Sequence, residues 1–105
     1  MKTVKVKYDV AVLGAGPGGI TAAIQAARNG ARTILVEREG LLGGNINQWL
    51  PWMSFLTRGG VQVVGGLAQE FVDRLMAKGA CLGHNTCPWQ ISVTSIDINI
   101  FQAEA

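Results

Sequence analysis

A six-residue run, Gly14-Ala15-Gly16-Pro17-Gly18-Gly19, constrains this chain more than anything else in it, because of what stands on either side. Before it, residues 4–13, VKVKYDVAVL, alternate at first and then turn continuously apolar. That is the pattern of a strand that enters from solvent and becomes buried on both faces of a parallel sheet. After it, residues 19–29, GITAAIQAARN, bring Ile20, Ala23, Ile24 and Ala27 onto one helical face, with Gly30 placed to end the helix. A G-x-G-x-x-G between strand and helix has a physical reading. The first glycine permits the tight turn, the second removes a side chain that would block a pyrophosphate, and the third lets the helix lie close on the strand. Unpaired N–H groups and the positive end of the helix dipole converge on the same point, so an anion is favoured there without any lysine or arginine.

Thr33 to Val36 form a short run rich in β-branched residues that reads as the second strand, and it ends in Glu37. A carboxylate about 20 residues beyond the glycine turn is placed to accept hydrogen bonds from ribose hydroxyls. Residues 1–44 are therefore expected to form a Rossmann-type βαβ dinucleotide-binding unit with parallel strands, in the α/β class. Glu37-Arg38 is followed closely by a glycine pair, Gly43-Gly44.

The whole run YDVAVLGAGPGGITAAIQAARNGARTILVEREGLLGGN resembles the FAD-dependent oxidoreductases of the glutathione-reductase-like superfamily, flavoproteins with two dinucleotide-binding domains. Residues 58–75, RGGVQVVGGLAQEFVDRL, are similar to the segment that follows the FAD motif in a bacterial group of heterodisulfide-reductase-like flavoproteins. The resemblance implies FAD as cofactor. It assigns Gly14, Gly16 and Gly19 to the pyrophosphate turn, which Ala15, Pro17 and Gly18 complete. It also assigns Glu37 to the adenosine ribose, Arg38 to the adenine side, and Gly43 and Gly44 to the cofactor edge. Relatives tend to carry a threonine three residues after the second glycine, then a small residue; here Asn47 and Trp49 stand in that region. Some relatives bind a four-iron cluster through cysteines, and nothing in this sequence matches such a ligand set.

Residues 45–105 are expected to begin an inserted or following region made of helical and loop segments. The stretch NQWLPWMSFL, residues 47–56, has no clean period and is broken by Pro51. Residues 67–78 place Leu67, Phe71, Val72, Leu75 and Met76 on one apolar face, with Gly79 ending that helix. Gln90 to Ile96 reads as a strand, and Asp97 is suited to cap a helix beginning at Ile98. The glycine pairs Gly59-Gly60 and Gly65-Gly66 read as turns.

Cys81, His84 and Cys87 lie together in CLGHNTCPW, which is read as a loop with reduced thiols. A closed zinc site needs four ligands, usually with a closer cysteine spacing, so no metal is assigned. No Cys-x-x-Cys pair exists to relay electrons, and no catalytic residue is assigned.

Nine Lys and Arg against seven Asp and Glu give a net charge of +2, and the basic residues are spread rather than grouped, which argues against a nucleic-acid partner. Lys2, Lys5 and Lys7 precede an apolar stretch, but glycines interrupt it well before the length of a signal sequence. No window approaches the roughly 18 apolar residues of a membrane span, so a cytoplasmic protein is expected. Two strands cannot bury both faces of a parallel sheet, so the 105 residues are expected to be the first part of a longer FAD-dependent oxidoreductase, its substrate or electron acceptor unknown. Two other readings stay open: a non-catalytic nucleotide-binding or interaction remnant of such a flavoprotein, and an NAD-binding module.

Overall fold

Only the end of the long apolar stretch becomes a strand: β1 is Val10–Leu13, paired in parallel with β2, Thr33–Val36, from Val10 opposite Thr33 to Leu13 opposite Val36. The strand expected from residue 4 is shorter because β2 offers a ladder of four residues and no more. Just before it, Arg32 closes the pair. Its N–H donates to the Asp9 carboxylate at 2.8 Å, its carbonyl accepts the Asp9 N–H at 2.8 Å, and its guanidinium stands 5.8 Å over the Tyr8 ring.

Helix α1, Pro17–Arg28, connects the two strands and packs on both. It begins two residues earlier than the apolar spacing suggests, since Pro17 occupies the first turn, where its fixed φ suits a helix and its missing N–H is no loss. Ile20 and Ala23 are buried and Ile24 is half-buried, but Ala27 is exposed, so the expected apolar face stops a turn short. Gly30, at φ +90°, reverses the chain into β2 by donating its N–H to the Ala27 carbonyl at 3.0 Å.

The computed structural model describes residues 1–89 and 91–105, which divide into two units, Met1–Gly44 and Asn45–Ala105. The second unit corrects the expectation of helical and loop segments. It contains a three-stranded antiparallel sheet in which β5, Ser92–Ile96, lies between β3, Trp52–Met53, and β4, Cys81–Thr86. The run CLGHNT, read as a loop, is thus a strand. Its residues have little intrinsic strand preference, and pairing with β5 together with packing under helix α2, Gly66–Ala77, imposes the conformation. Its register shifts between Cys81 and His84, a span that includes Gly83, whose φ of +78° a side chain would resist. The strand expected from Gln90 starts at Ser92; Gln90 itself lies outside the described residues.

Helix α2 buries Phe71, Val72 and Leu75, leaving Leu67 half-exposed and Met76 exposed at the edges of the stripe. Helix α3, Ile98–Glu104, is capped as anticipated: the Asp97 carboxylate accepts the N–H of Asn99 at 2.9 Å and of Ile100 at 3.2 Å. The aperiodic stretch around Pro51 proves to be a source of core. Trp52 meets Phe101 edge-on at 5.7 Å and stacks on Phe55 at 6.2 Å, while Phe71 lies 5.4 Å from Phe101. No helix among the described residues is long and apolar enough to cross a membrane.

Candidate functional site

The glycine run forms the turn between β1 and α1, and its backbone is fastened from several sides. Gly14, at φ +99°, donates its N–H to the Val36 carbonyl at the end of β2, 2.7 Å away. The Ala15 carbonyl accepts the Gly43 N–H at 2.6 Å, and the Ala15 N–H donates to Glu37 Oε2 at 2.6 Å. The Gly16 carbonyl accepts the Ile20 N–H at 3.0 Å and so opens the helix.

Each glycine here has a different reason for lacking a side chain. A Cβ on Gly19 would stand 1.8 Å from the Gly14 carbonyl oxygen and 3.5 Å from Val12 Cγ1, an overlap no rotamer relieves. Gly19 is therefore required by the contact of helix on strand. On Gly16 and on Gly18, by contrast, a Cβ would meet nothing within 4 Å. Gly16 has φ −72° and ψ −176°, extended backbone that any residue adopts. Neither the space nor the backbone of the protein accounts for glycine at position 16.

That open space lies at the start of α1, where Gly16 is the cap residue and no side chain caps the helix. There is no acidic residue in the first turn. The first N–H groups of the helix have no carbonyl four residues back, and Pro17 carries none, so the amides that follow Pro17 are left for an external acceptor. A pyrophosphate fits these features in charge and in hydrogen-bonding capacity.

Glu37 follows directly after β2 and turns its carboxylate back toward the glycine turn. Oε1 accepts the Glu39 N–H at 2.9 Å while Oε2 holds Ala15. The Glu39 and Ala15 amides keep its carboxyl below the ordinary value of 4.5, in that order of effect, and Arg38 contributes in the same direction. An ionised carboxylate has further lone pairs beyond these two bonds, so it can still accept from ribose hydroxyls. Arg38 is not drawn into the turn; its guanidinium lies open to solvent against Glu39, Nε to Oε1 at 3.0 Å. Gly43, buried at φ +111°, and Gly44, at φ +53°, pack on the turn itself, where a Cβ on Gly44 would come 3.1 Å from Gly16 Cα.

The expected residues Gly14, Ala15, Gly16, Gly19, Glu37, Gly43 and Gly44 are therefore contiguous, Pro17 and Gly18 begin the helix, and Arg38 stands apart. The part played by Glu39 is not apparent from sequence: its N–H helps aim the Glu37 carboxylate. Only its position two residues after a strand-end acid signals such a turn.

The cysteine and histidine residues lie in the other unit. Cys81 is buried with its sulfur accepting the Gly83 N–H at 3.3 Å, and Cys87 is half-buried. His84 is stacked 4.5 Å from Phe55, with Nδ1 2.7 Å from Thr94 Oγ1 and Nε2 2.8 Å from Gln69 Oε1. Gln69 Nε2 donates to Asp73 at 2.9 Å, so the Gln69 oxygen faces the ring and accepts from His84 Nε2.

Comparison with known proteins identifies the family. Residues 9–105 match the family model of FAD dependent oxidoreductases. Among curated proteins, the soluble pyridine nucleotide transhydrogenase of Chromohalobacter salexigens is 48% identical over 42 residues, 40% of this chain and 9% of its own length. The dihydrolipoyl dehydrogenase of Chlorobaculum tepidum is 51% identical over 47 residues, 45% of this chain and 10% of its own. That of Trypanosoma brucei brucei is 60% identical over 37 residues, 35% of this chain and 8% of its own. The match thus spans about a tenth of the length of these relatives. No solved structure matches the chain. With the family model covering nearly all of it, the chain belongs to the FAD-dependent oxidoreductase family, and its cofactor is FAD.

Proposed function

We propose that residues 1–44 hold the ADP half of FAD and that the whole protein is a redox flavoenzyme. The pyrophosphate lies over Gly16 and Gly18 against the first amides of α1, Gly14, Ala15, Pro17 and Gly19 shape that turn, and Glu37 accepts from the adenosine ribose. Gly43 and Gly44 form the edge of the same site, and Arg38, free to swing from Glu39, covers the adenine. The observation that carries this reading is the open space in front of Gly16, at a helix start that no side chain caps. FAD supplies the electron-transfer chemistry when bound, and the residues named here bind and orient it.

Residues 45–105 are then the start of the next region of the flavoprotein. The similarity of residues 58–75 supports placement in the heterodisulfide-reductase-like group, and two free thiols suit a reducing, cytoplasmic setting. Fluorescence titration of the chain with FAD, followed by challenge with excess NADH, tests the reading. FAD is expected to bind and to resist displacement; NADH binding in preference to FAD would favour an NAD module instead.

A further inference from the structure

Glu37 has a second task that the ribose contact does not explain. The pyrophosphate turn is built from Gly14, Ala15 and Gly16, and flanking glycines leave it free to adopt many shapes. Within it, the peptide groups on both sides of Ala15 are tied down: the N–H to Glu37 Oε2 at 2.6 Å, the carbonyl to the Gly43 N–H at 2.6 Å. The ties at Gly14, at Gly16 and at the Ala15 carbonyl run from backbone to backbone, whereas Glu37 reaches the turn with its side chain. The carboxylate is itself aimed by the Glu39 N–H at 2.9 Å. An amide has a single hydrogen, so the Ala15 N–H held by Glu37 is not offered to the pyrophosphate. The donors left to the anion are the amides beyond Pro17, at the start of α1.

We propose that Glu37 is a positioning residue for the pyrophosphate turn: by accepting the Ala15 N–H it holds that turn in its anion-binding shape before cofactor arrives, independently of any ribose contact. This rests on the FAD reading above. The two amides that bind the carboxylate also keep it ionised at neutral pH, so the latch is closed under ordinary conditions.

The test separates latch from ribose contact by removing the ribose hydroxyls from the ligand. Wild-type chain, Glu37→Ala and Glu37→Gln are titrated with ADP and with 2′,3′-dideoxy-ADP. The latch predicts that Glu37→Ala weakens dideoxy-ADP binding by about tenfold, the loss expected for one hydrogen bond to a charged group, and that Glu37→Gln, which keeps an acceptor oxygen, recovers part of it. Equal affinity of wild type and Glu37→Ala for dideoxy-ADP, with the loss confined to ADP, overturns the proposal.

A ligand-free readout accompanies it: the Ala15 amide proton resonance follows the acid titration of Glu37 in the wild type and is pH-independent over that range in Glu37→Gln. An Ala15 amide indifferent to that titration removes the latch whatever the ligands do. Failure of the wild type to bind ADP at all defeats the FAD reading and this proposal with it, and the amide titration still reports separately whether Glu37 holds Ala15.

Discussion

Gly16 and Gly19 occupy one motif and are glycines for opposite reasons, which yields a paired prediction at the residue scale. Gly19→Ala forces a methyl group to within 1.8 Å of a backbone oxygen, so α1 must move off β1. Overpacking of this kind destabilises by about 1–3 kcal/mol or more, to be read as a lowered midpoint in a urea melt. At Gly16 a Cβ stands in open space on extended backbone, so Gly16→Val should lower the melt less than Gly19→Ala does, by no more than the cost of a poorer helix cap, while FAD affinity falls well over tenfold. The motif's spacing made both positions legible in the sequence, but not the distinction between them, since Gly19 is set by a carbonyl brought close in space and Gly16 faces open space. Gly43-Gly44 shows the converse. The pair suggested contact with FAD, yet its fit against Gly16 Cα already accounts for the missing side chain of Gly44, so the pair alone does not separate FAD from NAD.

Among the elements, those with a local cause were readable: β2 from its β-branched run, α2 from its apolar stripe, and α3 from the Asp97 cap. Asp97→Ala should cost about 1 kcal/mol of stability, seen as a lower midpoint in thermal denaturation, because the Asn99 and Ile100 amides lose their acceptor. β4 and β3 were not readable, since each is held by β5 and by aromatic packing rather than by its own residues. Ser92 has a comparable hidden role: fully buried, its Oγ accepts the Leu56 N–H at 3.0 Å. Ser92→Ala leaves that amide without its acceptor, and a loss of about 1–3 kcal/mol is expected in the same melt. The two helices of the second unit are also tied electrostatically. Lys78 pairs with Glu104, and Arg74 lies 3.7 Å from the same carboxylate. Lys78, then Arg74, holds the Glu104 carboxyl below its ordinary value of 4.5. A carboxyl depressed on folding adds stability above its unfolded value, and that contribution is lost as pH falls from about 4.5 through the lower folded value. Glu104→Gln should therefore lower the thermal midpoint at neutral pH and flatten its decline between pH 4.5 and more acid conditions; an unaltered pH profile would contradict the assignment.

For the molecule as a whole, the first unit pairs a two-stranded parallel sheet with one helix, leaving Leu13 80% and Val36 45% exposed. Parallel strands are ordinarily covered on both faces, so this unit is expected to be the less stable of the two and to gain most from bound cofactor. FAD should accordingly slow amide hydrogen exchange in β1, α1 and β2 more than in the β3-β5-β4 sheet, and uniform slowing would count against a site confined to the glycine turn. The dinucleotide function was legible because it depends on one strand-turn-helix step and one acid. The substrate side was not, because nothing in the motif bears on the flavin ring or on what it reacts with. The most direct measurement is the visible absorption spectrum of the chain after mixing with FAD and desalting, for wild type beside Gly16→Val. The flavin bands should stay with the wild type and be absent from the variant, whose far-ultraviolet circular dichroism matches the wild type. Equal retention by both proteins, or by neither, would contradict the placement of FAD on the glycine turn of this chain.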